Sequence, residues 1–201
     1  GKAGQPVWVT GPEARAHGHL LRATADAILV GRRTVEDDDP ELTCRLPGLA
    51  GQSPARVVLT RDLRISLESK LVRTARDVPV ILFCGPDADS QQRAELEARG
   101  CEIIPVREVE GTLWLPAVTE ALAARNVTRL LVEGGPAIWR SFARACFVDE
   151  VIAFQARAEQ TREANRPPPS AYLPGLDLTL VARQEVGADV MMIYRRRIRQ
   201  H

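Results

Sequence analysis

The sequence has 201 residues, of which 45% are hydrophobic and 26% charged, and its formal net charge at pH 7 is +1. That charge balance favours neither a nucleic-acid nor a membrane partner, and no apolar run approaches the ~20 residues of a membrane span. A chain of this length can bury one sizeable core, so we expect a single domain over residues 1–201. Because no signal-peptide pattern opens the sequence, we expect a cytoplasmic protein.

Cysteines and histidines give no indication of a metal site. The four cysteines are scattered without a CxxC pair, which predicts reduced, mostly buried thiols rather than a zinc site or a disulfide framework. His17 and His19 lie two residues apart, a spacing that points side chains to different faces of a helix. We therefore expect no bound metal.

The first part of the chain alternates between helical and strand-like segments. Thr10 and Pro12 predict the start of a helix, and the apolar run over residues 27–30 predicts a buried strand closed by Gly31. The residues that follow, through Pro54, are polar and rich in proline and glycine. A connection of that length is usually functional or disordered.

Three more strand-like runs follow, over residues 56–59, 80–83 and 103–106. Pro105 indicates that the last of them is an edge strand. A helix is predicted from a cap at Asp87 or Ser90 to Gly100, and another over residues 113–125. This alternation predicts an α/β fold with a largely parallel sheet and helices on both faces.

The stretch around Glu133 carries the strongest signal in the sequence. Residues 130–132 are apolar and predict a buried central strand, while Pro136 predicts the first turn of a helix. Gly134 and Gly135 form the turn between them, which lets the backbone approach a phosphate at the helix start. Glu133 then stands at the carboxyl end of the strand, where open α/β sheets bind ligands. A plain structural turn is an equally good interpretation of the glycines alone.

Beyond this helix the pattern changes to strands without intervening helices. Strand-like runs cover residues 151–154, 178–181 and 190–194, and Gly187-Ala188-Asp189 predicts a hairpin turn between the last two. The polar residues 156–174 predict a loop. The strands at the carboxyl end of the chain are therefore expected to pair in an antiparallel sheet.

Several segments together resemble the reductase domain of bacterial riboflavin biosynthesis, which is usually the second half of a bifunctional deaminase-reductase. The matching segments follow the family order: Val9–Arg15, Leu21–Ala23, Asp26–Gly31, Thr34-Val35, Asp38–Pro40, Leu42–Arg45, Leu131–Pro136 and Phe147–Val151. The resemblance implies a dihydrofolate-reductase-like α/β fold in three layers, with a mainly parallel mixed sheet, helices on both faces and a carboxyl-terminal antiparallel hairpin.

The resemblance also implies an activity and its residues. The activity is the NADPH-dependent reduction of the ribosyl group of 5-amino-6-(5-phosphoribosylamino)uracil to the ribityl form, and we expect the enzyme to be a homodimer. The implied cofactor contacts are Trp8, Thr34, Asp38, Gly134, Gly135, Pro136, Ala137, Ile138 and Ser141. The implied substrate contacts are Arg22, Leu42, Arg45 and Glu133.

Elementary chemistry agrees with several of these roles. Arg22 and Arg45 can hold a phosphate by paired hydrogen bonds, although surface ion pairs would explain both arginines as well. Glu133, the expected catalytic residue, can bind sugar hydroxyls or move a proton while hydride arrives. Arg61 and Arg64 follow the strand at 56–59, where a basic residue could meet the 2′-phosphate of NADPH.

Plainer interpretations exist for three of the cofactor residues. Trp8 could be a hydrophobic anchor, Thr34 a helix cap and Asp38 part of a solvated acidic turn. Two other functions also stay open: a reductase of pterins on the same fold, and a non-catalytic nucleotide-binding domain.

The sequence departs from the family pattern at three places. The family's first strand and its lysine have no counterpart before Gly1-Lys2, Pro6 replaces a small polar residue, and Arg157–Ala171 replaces a glycine-containing segment. The slot of that strand is expected to be filled by a neighbouring copy or by Gly1–Val9, unless the chain is part of a longer protein. We also expect this form to bind nucleotide better than it turns over substrate. The zinc-deaminase motif of the family's other half is not found.

Overall fold

The computed structural model describes residues 10–156, 173 and 175–197. The helices in this part of the chain are α1 (Pro12–Ala23), α2 (Arg32–Asp38), α3 (Lys70–Arg73), α4 (Ser90–Ala98), α5 (Leu115–Ala123) and α6 (Pro136–Arg144). The strands are β1 (Ala27–Gly31), β2 (Ala55–Leu59), β3 (Val80–Cys84), β4 (Glu102–Pro105), β5 (Glu108–Val109), β6 (Thr112–Leu113), β7 (Leu130–Val132), β8 (Glu150–Ala156), β9 (Leu178–Val186) and β10 (Asp189–Arg196). The predictions for Trp8, Gly1–Val9 and the 157–171 loop lie outside the described residues.

Two compact units make up the chain, one comprising His19–Ile138 and the other combining Gly1–Gly18 with Trp139–His201. The first unit holds a five-stranded parallel sheet in the order β4-β3-β2-β1-β7. Every residue of β3 is buried, as are Ala27–Val30 in β1, so both faces of these strands are covered. This burial explains why their sequences are continuous apolar runs. The prediction of a single domain stays a prediction.

The core on one face of this sheet is built from alternate strand residues. Ile28, Val30, Val58 and Leu82 pack with Val35 of α2. Leu71 and Val72 of α3 and Leu96 of α4 belong to the same cluster. The parallel arrangement and the covered faces confirm the predicted α/β class, and the position of β4 at the end of the order confirms that the strand with Pro105 is an edge strand.

The predicted central position of β7 is not what the described sheet shows. Here β7 pairs with β1 alone, at the end of the strand order, and its three residues are half-buried. An apolar run reports the burial of side chains, whereas the order of strands depends on pairings that the run itself does not encode. The carboxyl end of β7 nevertheless lies beside that of β1, as the register Leu29↔Val132 fixes.

The second unit contains an antiparallel sheet in the order β8-β10-β9. The predicted hairpin is confirmed, with a turn at Gly187, whose φ of 62° suits glycine. Asp189, expected in that turn, is instead the first residue of β10. Its buried carboxylate accepts the N–H of Gly11 at 2.6 Å, next to the start of α1. These strands form a sheet of their own, and β5 and β6 pair in a further two-stranded antiparallel sheet, so the described residues hold three sheets.

The helix α2 and the cap of α4 differ from the predictions made from the local sequence. Residues 32–38 were expected to be a polar connection but form α2, which is capped by Asp39 in the left-handed conformation, with the Asp39 N–H bonded to the Val35 carbonyl. The cap of α4 is Asp89, not Asp87 or Ser90, because its carboxylate accepts the N–H of Gln92 at 2.8 Å. Polar side chains were abundant at both places, so composition alone could not choose among them.

Candidate active site

Glu133 and Arg22 meet at the carboxyl end of β7. The N–H of Glu133 bonds to the Leu29 carbonyl of β1 at 3.0 Å, which fixes the backbone just beyond the strand. Arg22, in the last turn of α1, donates from Nε to Oε1 at 2.9 Å and from Nη2 to Oε2 at 2.6 Å. The structure therefore brings together two residues that lie 111 positions apart and that the sequence assigned to the substrate.

Helix α1 also contacts the segment Thr43-Cys44-Arg45. Arg22 Nη1 donates to the Thr43 carbonyl at 3.2 Å, and His19 Nδ1 lies 3.2 Å from the same oxygen. The N–H of Arg45 reaches the same nitrogen of His19 at 3.3 Å. Burial and the charges of Arg22 and Arg45 lower the pKa of His19, against the opposing effects of Thr43 and Glu133. His19 is not among the site residues predicted from the sequence, although its i,i+3 spacing from Arg22 puts both on one helix face.

Leu42 and Arg45 present different groups to a ligand. Leu42 has a φ of 55° and a buried side chain in the core beneath β1, so only its backbone can serve a substrate. The side chain of Arg45 is 54% exposed and pairs with Glu41 at 3.0 Å. Because Glu133 already occupies the fork of Arg22, Arg45 is the more accessible of the two expected phosphate ligands.

The glycine turn before α6 serves two purposes. A Cβ on Gly134 would lie 2.7 Å from the Cβ of Ile138, and one on Gly31 would lie 3.2 Å from the end of the same side chain. Ile138 is thus packed over two glycines. By contrast, a Cβ on Gly135 would meet no atom within 4 Å. The open space there suits a ligand approaching the first residues of α6, where Pro136 and Ala137 are exposed.

Three further residues expected at the cofactor lie on helices. Thr34 is half-buried within α2, and it is not the helix cap, because the N-cap of α2 is Gly31. Asp38 is exposed in the last turn of α2, while the neighbouring Asp39 accepts the N–H of Lys70 at 2.8 Å. Ser141 is half-buried on α6. Each has a position on a defined element, and their roles toward a cofactor stay predictions.

A cavity of about 760 Å³ opens beyond the carboxyl ends of β2 and β3. Arg61 and Arg64 line it, with side chains that are 61% and 77% exposed. Arg64 pairs with Asp62 at 3.2 Å, whereas Arg61 lies 3.9 Å from Glu108. The carboxylates that line the same cavity are Asp62, Asp87, Asp89, Glu95 and Glu108. The cavity can therefore hold either a phosphate at its arginines or hydroxyl groups at its carboxylates.

The cysteines take no visible part in this chemistry. Cys44, Cys84 and Cys101 are buried and Cys146 is exposed, and all four are free, which confirms the expectation of mostly buried thiols. Burial raises the pKa of Cys101 to about 11, so its thiol stays protonated at neutral pH. In the described part of the chain, no group of three or more potential ligands could hold a metal ion, and no helix is long and apolar enough to cross a membrane.

Comparison with known sequences assigns the family. A sequence model of the RibD C-terminal domain matches residues 1–157. The chain belongs to this family. The riboflavin biosynthesis protein RibD of Aquifex aeolicus is 31% identical over 153 residues, which are 76% of this chain and 41% of that protein. RibD of Mycobacterium tuberculosis is 36% identical over 155 residues, 76% of this chain and 36% of that protein. The chain thus spans less than half the length of these RibD relatives.

A shorter relative is covered more completely. The 2,5-diamino-6-ribosylamino-4(3H)-pyrimidinone 5′-phosphate reductase of Aquifex aeolicus is 31% identical over 141 residues, which are 69% of this chain and 60% of that protein. These matches confirm the resemblance to riboflavin-biosynthesis reductases that the motifs around Arg22 and Glu133 indicated.

Solved structures of other proteins share the fold. RibD of Acinetobacter baumannii aligns with a TM-score of 0.73 at 20% identity, covering 98% of this chain and 53% of that one. A pyrimidine reductase-like protein of Corynebacterium diphtheriae aligns with a TM-score of 0.72 at 20% identity, covering 98% of this chain and 88% of that one. At these identities the likeness establishes the fold alone, and it confirms the predicted fold class.

Proposed function

We propose that this RibD C-terminal domain is an NADPH-dependent reductase that converts the ribosyl group of 5-amino-6-(5-phosphoribosylamino)uracil to the ribityl form. The observation that carries the proposal is the paired hydrogen bond between Arg22 and Glu133 beside the open turn at Gly135. A carboxylate held at the carboxyl end of a parallel strand, next to a phosphate-ready helix start, suits a sugar-phosphate substrate and a nucleotide cofactor.

The substrate is held by three groups in this proposal. Arg45, whose side chain is exposed, binds the phosphate. The phosphate displaces the Glu41 carboxylate from its ion pair with Arg45. Arg22 orients Glu133 and lends positive charge to the same region. The backbone of Leu42, held in an unusual conformation by its buried side chain, offers hydrogen bonds to the substrate without rotating away.

Glu133 supports the proton side of the reaction. Reduction at the ribosyl carbon adds a hydride to carbon, breaks its bond to the ring oxygen and places a proton on that oxygen. A carboxyl group positioned by Arg22 can hold the sugar hydroxyls and exchange that proton with solvent, since its side chain is 30% exposed. Proton transfer from such a group typically contributes about 10²–10⁴-fold to a rate.

The residues at the two candidate cofactor positions fit a dinucleotide. When bound, NADPH supplies the hydride. The turn at Gly135, just before α6, would hold the pyrophosphate, because a Cβ there would meet no atom within 4 Å and the positive end of the helix dipole favours an anion. Arg61 would meet the 2′-phosphate in the cavity beyond β2. Thr34, Asp38 and Ile138 are proposed as further contacts, while a role of Ser141 and a homodimer in the cytoplasm stay predictions.

The test is to titrate the protein with NADPH and then follow the loss of reduced-nicotinamide absorbance with each candidate substrate. Oxidation only with the phosphoribosylaminouracil supports the proposal. Oxidation with dihydrofolate or another pterin instead would favour a pterin reductase. Tight NADPH binding without turnover of either substrate would favour a non-catalytic nucleotide-binding domain.

A further inference from the structure

His19 connects α1 to the backbone that carries Arg45. Its Nδ1 lies 3.2 Å from the Thr43 carbonyl oxygen and 3.3 Å from the Arg45 amide nitrogen. Arg22, one turn further along α1, donates to the same Thr43 carbonyl at 3.2 Å. Two side chains of one helix face therefore define the backbone of the segment from which Arg45 projects.

One imidazole nitrogen cannot serve both backbone groups at once. An unprotonated Nδ1 accepts the Arg45 N–H, whereas a protonated Nδ1 can only donate to the Thr43 carbonyl. That carbonyl already accepts from Arg22, while His19 is the acceptor that the described residues offer to the Arg45 N–H. The unprotonated nitrogen therefore leaves both groups paired, and protonation would leave the Arg45 N–H without an acceptor.

The charges around His19 favour the neutral imidazole as well. Arg22 faces it from α1, Arg45 with its partner Glu41 from the loop, and Glu133 from the end of β7. Burial is the largest effect that lowers the pKa of His19, and the two arginines add to it. The imidazole is consequently neutral at pH 7 and above.

We propose that His19 is a positioning residue, whose neutral imidazole accepts the Arg45 N–H and thereby sets the Arg45 side chain for the phosphate of the substrate. This inference rests on the proposed function, since the phosphorylated substrate is what Arg45 binds. Acidification through the titration of His19 withdraws the acceptor and frees the backbone of Arg45. The affinity for substrate then falls, while the Arg22 and Glu133 pair stays in place.

Two substitutions at His19 separate its hydrogen bond from its bulk. His19→Asn places a carboxamide oxygen near the position of Nδ1 and keeps an acceptor that does not titrate. His19→Phe keeps a ring and removes the acceptor, so we expect KM for the substrate to rise about three- to tenfold at pH 8 with kcat little changed. His17→Asn is the matched control, because His17 lies on the same helix but packs against Phe154. Its KM should equal that of the unsubstituted protein.

The decisive readout is the pH profile. The phosphate of the substrate itself titrates near pH 6, so each variant is compared with the unsubstituted protein at the same pH. We expect KM of the unsubstituted protein to rise between pH 7 and pH 5 relative to His19→Asn, and the two values to agree at pH 8. Nitrogen-15 NMR of His19 in the free protein should show an unprotonated Nδ1 at pH 8.

The outcomes distinguish this inference from the proposed function. Turnover by the unsubstituted protein with an unchanged KM in His19→Phe, or a protonated Nδ1 at pH 8, would overturn the inference alone. A His19→Asn variant as impaired as His19→Phe would also overturn it. Absence of turnover in every variant, with the expected NMR result, would overturn the proposed function and the substrate role of His19 together.

Discussion

Arg22 holds both carboxylate oxygens of Glu133, with donor–acceptor distances of 2.9 and 2.6 Å. Paired hydrogen bonds between a guanidinium and a carboxylate are among the stronger ones in proteins, and they fix the plane of the carboxylate. The pair also changes the expected role of Arg22 as a phosphate ligand, since its guanidinium points at Glu133 rather than at open space. Arg22 is thus better suited to orient the carboxylate than to bind phosphate alone.

The first prediction concerns this carboxylate. Glu133→Gln keeps the size of the side chain but removes its charge and its capacity to exchange a proton. We expect kcat to fall by about 10²-fold or more, since proton transfer is lost, with NADPH affinity unchanged. Stopped-flow measurement of NADPH oxidation at saturating substrate checks this.

Glu36→Gln is the control for removing a paired glutamate. Glu36 accepts from Arg32 at 2.8 Å on an exposed face of α2, and such surface pairs contribute little. Its kcat should stay within about twofold of that of the unsubstituted protein. A Glu133→Gln enzyme with normal kcat would remove Glu133 from the chemistry.

The second prediction assigns the phosphate to Arg45. Arg45→Ala should raise KM for the phosphorylated substrate by at least about tenfold with little change in kcat, because a charge-assisted hydrogen bond to phosphate is lost. The dephosphorylated nucleoside should react equally well with both proteins. Arg99→Ala removes another exposed arginine that pairs with a glutamate, and it should leave KM unchanged. A normal KM in Arg45→Ala would return the phosphate to Arg22.

Much of the first unit could be predicted from local sequence. The apolar runs of β1, β2 and β3 predicted buried parallel strands, because such runs occur where the side chains on both faces of a strand are covered. Glu133 and the two glycines predicted the candidate active site, because a strand, a turn and a helix start follow one another without interruption. Where strand, turn and helix signals are contiguous in sequence, their geometry follows from covalent connectivity.

The contacts between distant segments could not be read in the same way. His19 was considered only as a metal ligand, and its contact with Thr43 depends on how a proline-rich loop folds over α1. Arg56 looked like an ordinary strand residue, yet it is fully buried. The sequence of a strand does not show that a backbone carbonyl about twenty residues away accepts a hydrogen bond from one of its side chains. Such contacts need the three-dimensional path of the chain.

The third prediction separates the two glycines of the turn. Gly134→Ala should destabilise the protein by about 1–3 kcal/mol, because its Cβ would overlap Ile138. Gly135→Val should leave the stability nearly unchanged, since a Cβ at this position would meet no atom within 4 Å and the residue before a proline favours an extended conformation, which a branched residue accepts. Thermal unfolding of the free proteins measures both effects.

The substitution at Gly135 should affect NADPH binding, although it leaves the stability nearly unchanged. Gly135→Val should weaken NADPH binding by about tenfold or more, because the side chain occupies the space that a phosphate needs at the start of α6. Gly51→Val, another glycine with no atom within 4 Å of its Cβ position, is the control for a valine in open surroundings. Unchanged NADPH affinity in Gly135→Val by calorimetry would show that the cofactor does not bind at this turn.

The fourth prediction concerns the choice between NADPH and NADH. Removing both arginines of the cavity, in Arg61→Ala with Arg64→Ala, should lower the affinity for NADPH about tenfold and leave that for NADH nearly unchanged. The ratio of the two dissociation constants is the measurement. The carboxylates that share the cavity offer hydroxyl acceptors instead, so a ratio that does not change in the double variant would assign the ribose to them.

The fifth prediction concerns Arg56, whose guanidinium lies fully buried beneath β2. It donates to Thr74 Oγ1 at 2.8 Å, to the carbonyls of Thr74 and Val78 at 2.9 and 2.5 Å, and to that of Glu41 at 3.4 Å. It therefore ties the loop that carries Arg45 to the residues between α3 and β3. A lysine has one nitrogen and cannot reach all these oxygens.

Arg56→Lys should consequently leave buried acceptors unpaired, each of which costs about 1–3 kcal/mol, and lower the free energy of unfolding by roughly 2–5 kcal/mol. Urea unfolding followed by circular dichroism measures the change. Arg73→Lys is the matched control, because Arg73 is exposed on α3 and its replacement should stay within about 0.5 kcal/mol. Since the Glu41 carbonyl belongs to the loop of Arg45, KM for the substrate should also rise in Arg56→Lys. If both variants unfold alike, the buried guanidinium does not hold the loop in place.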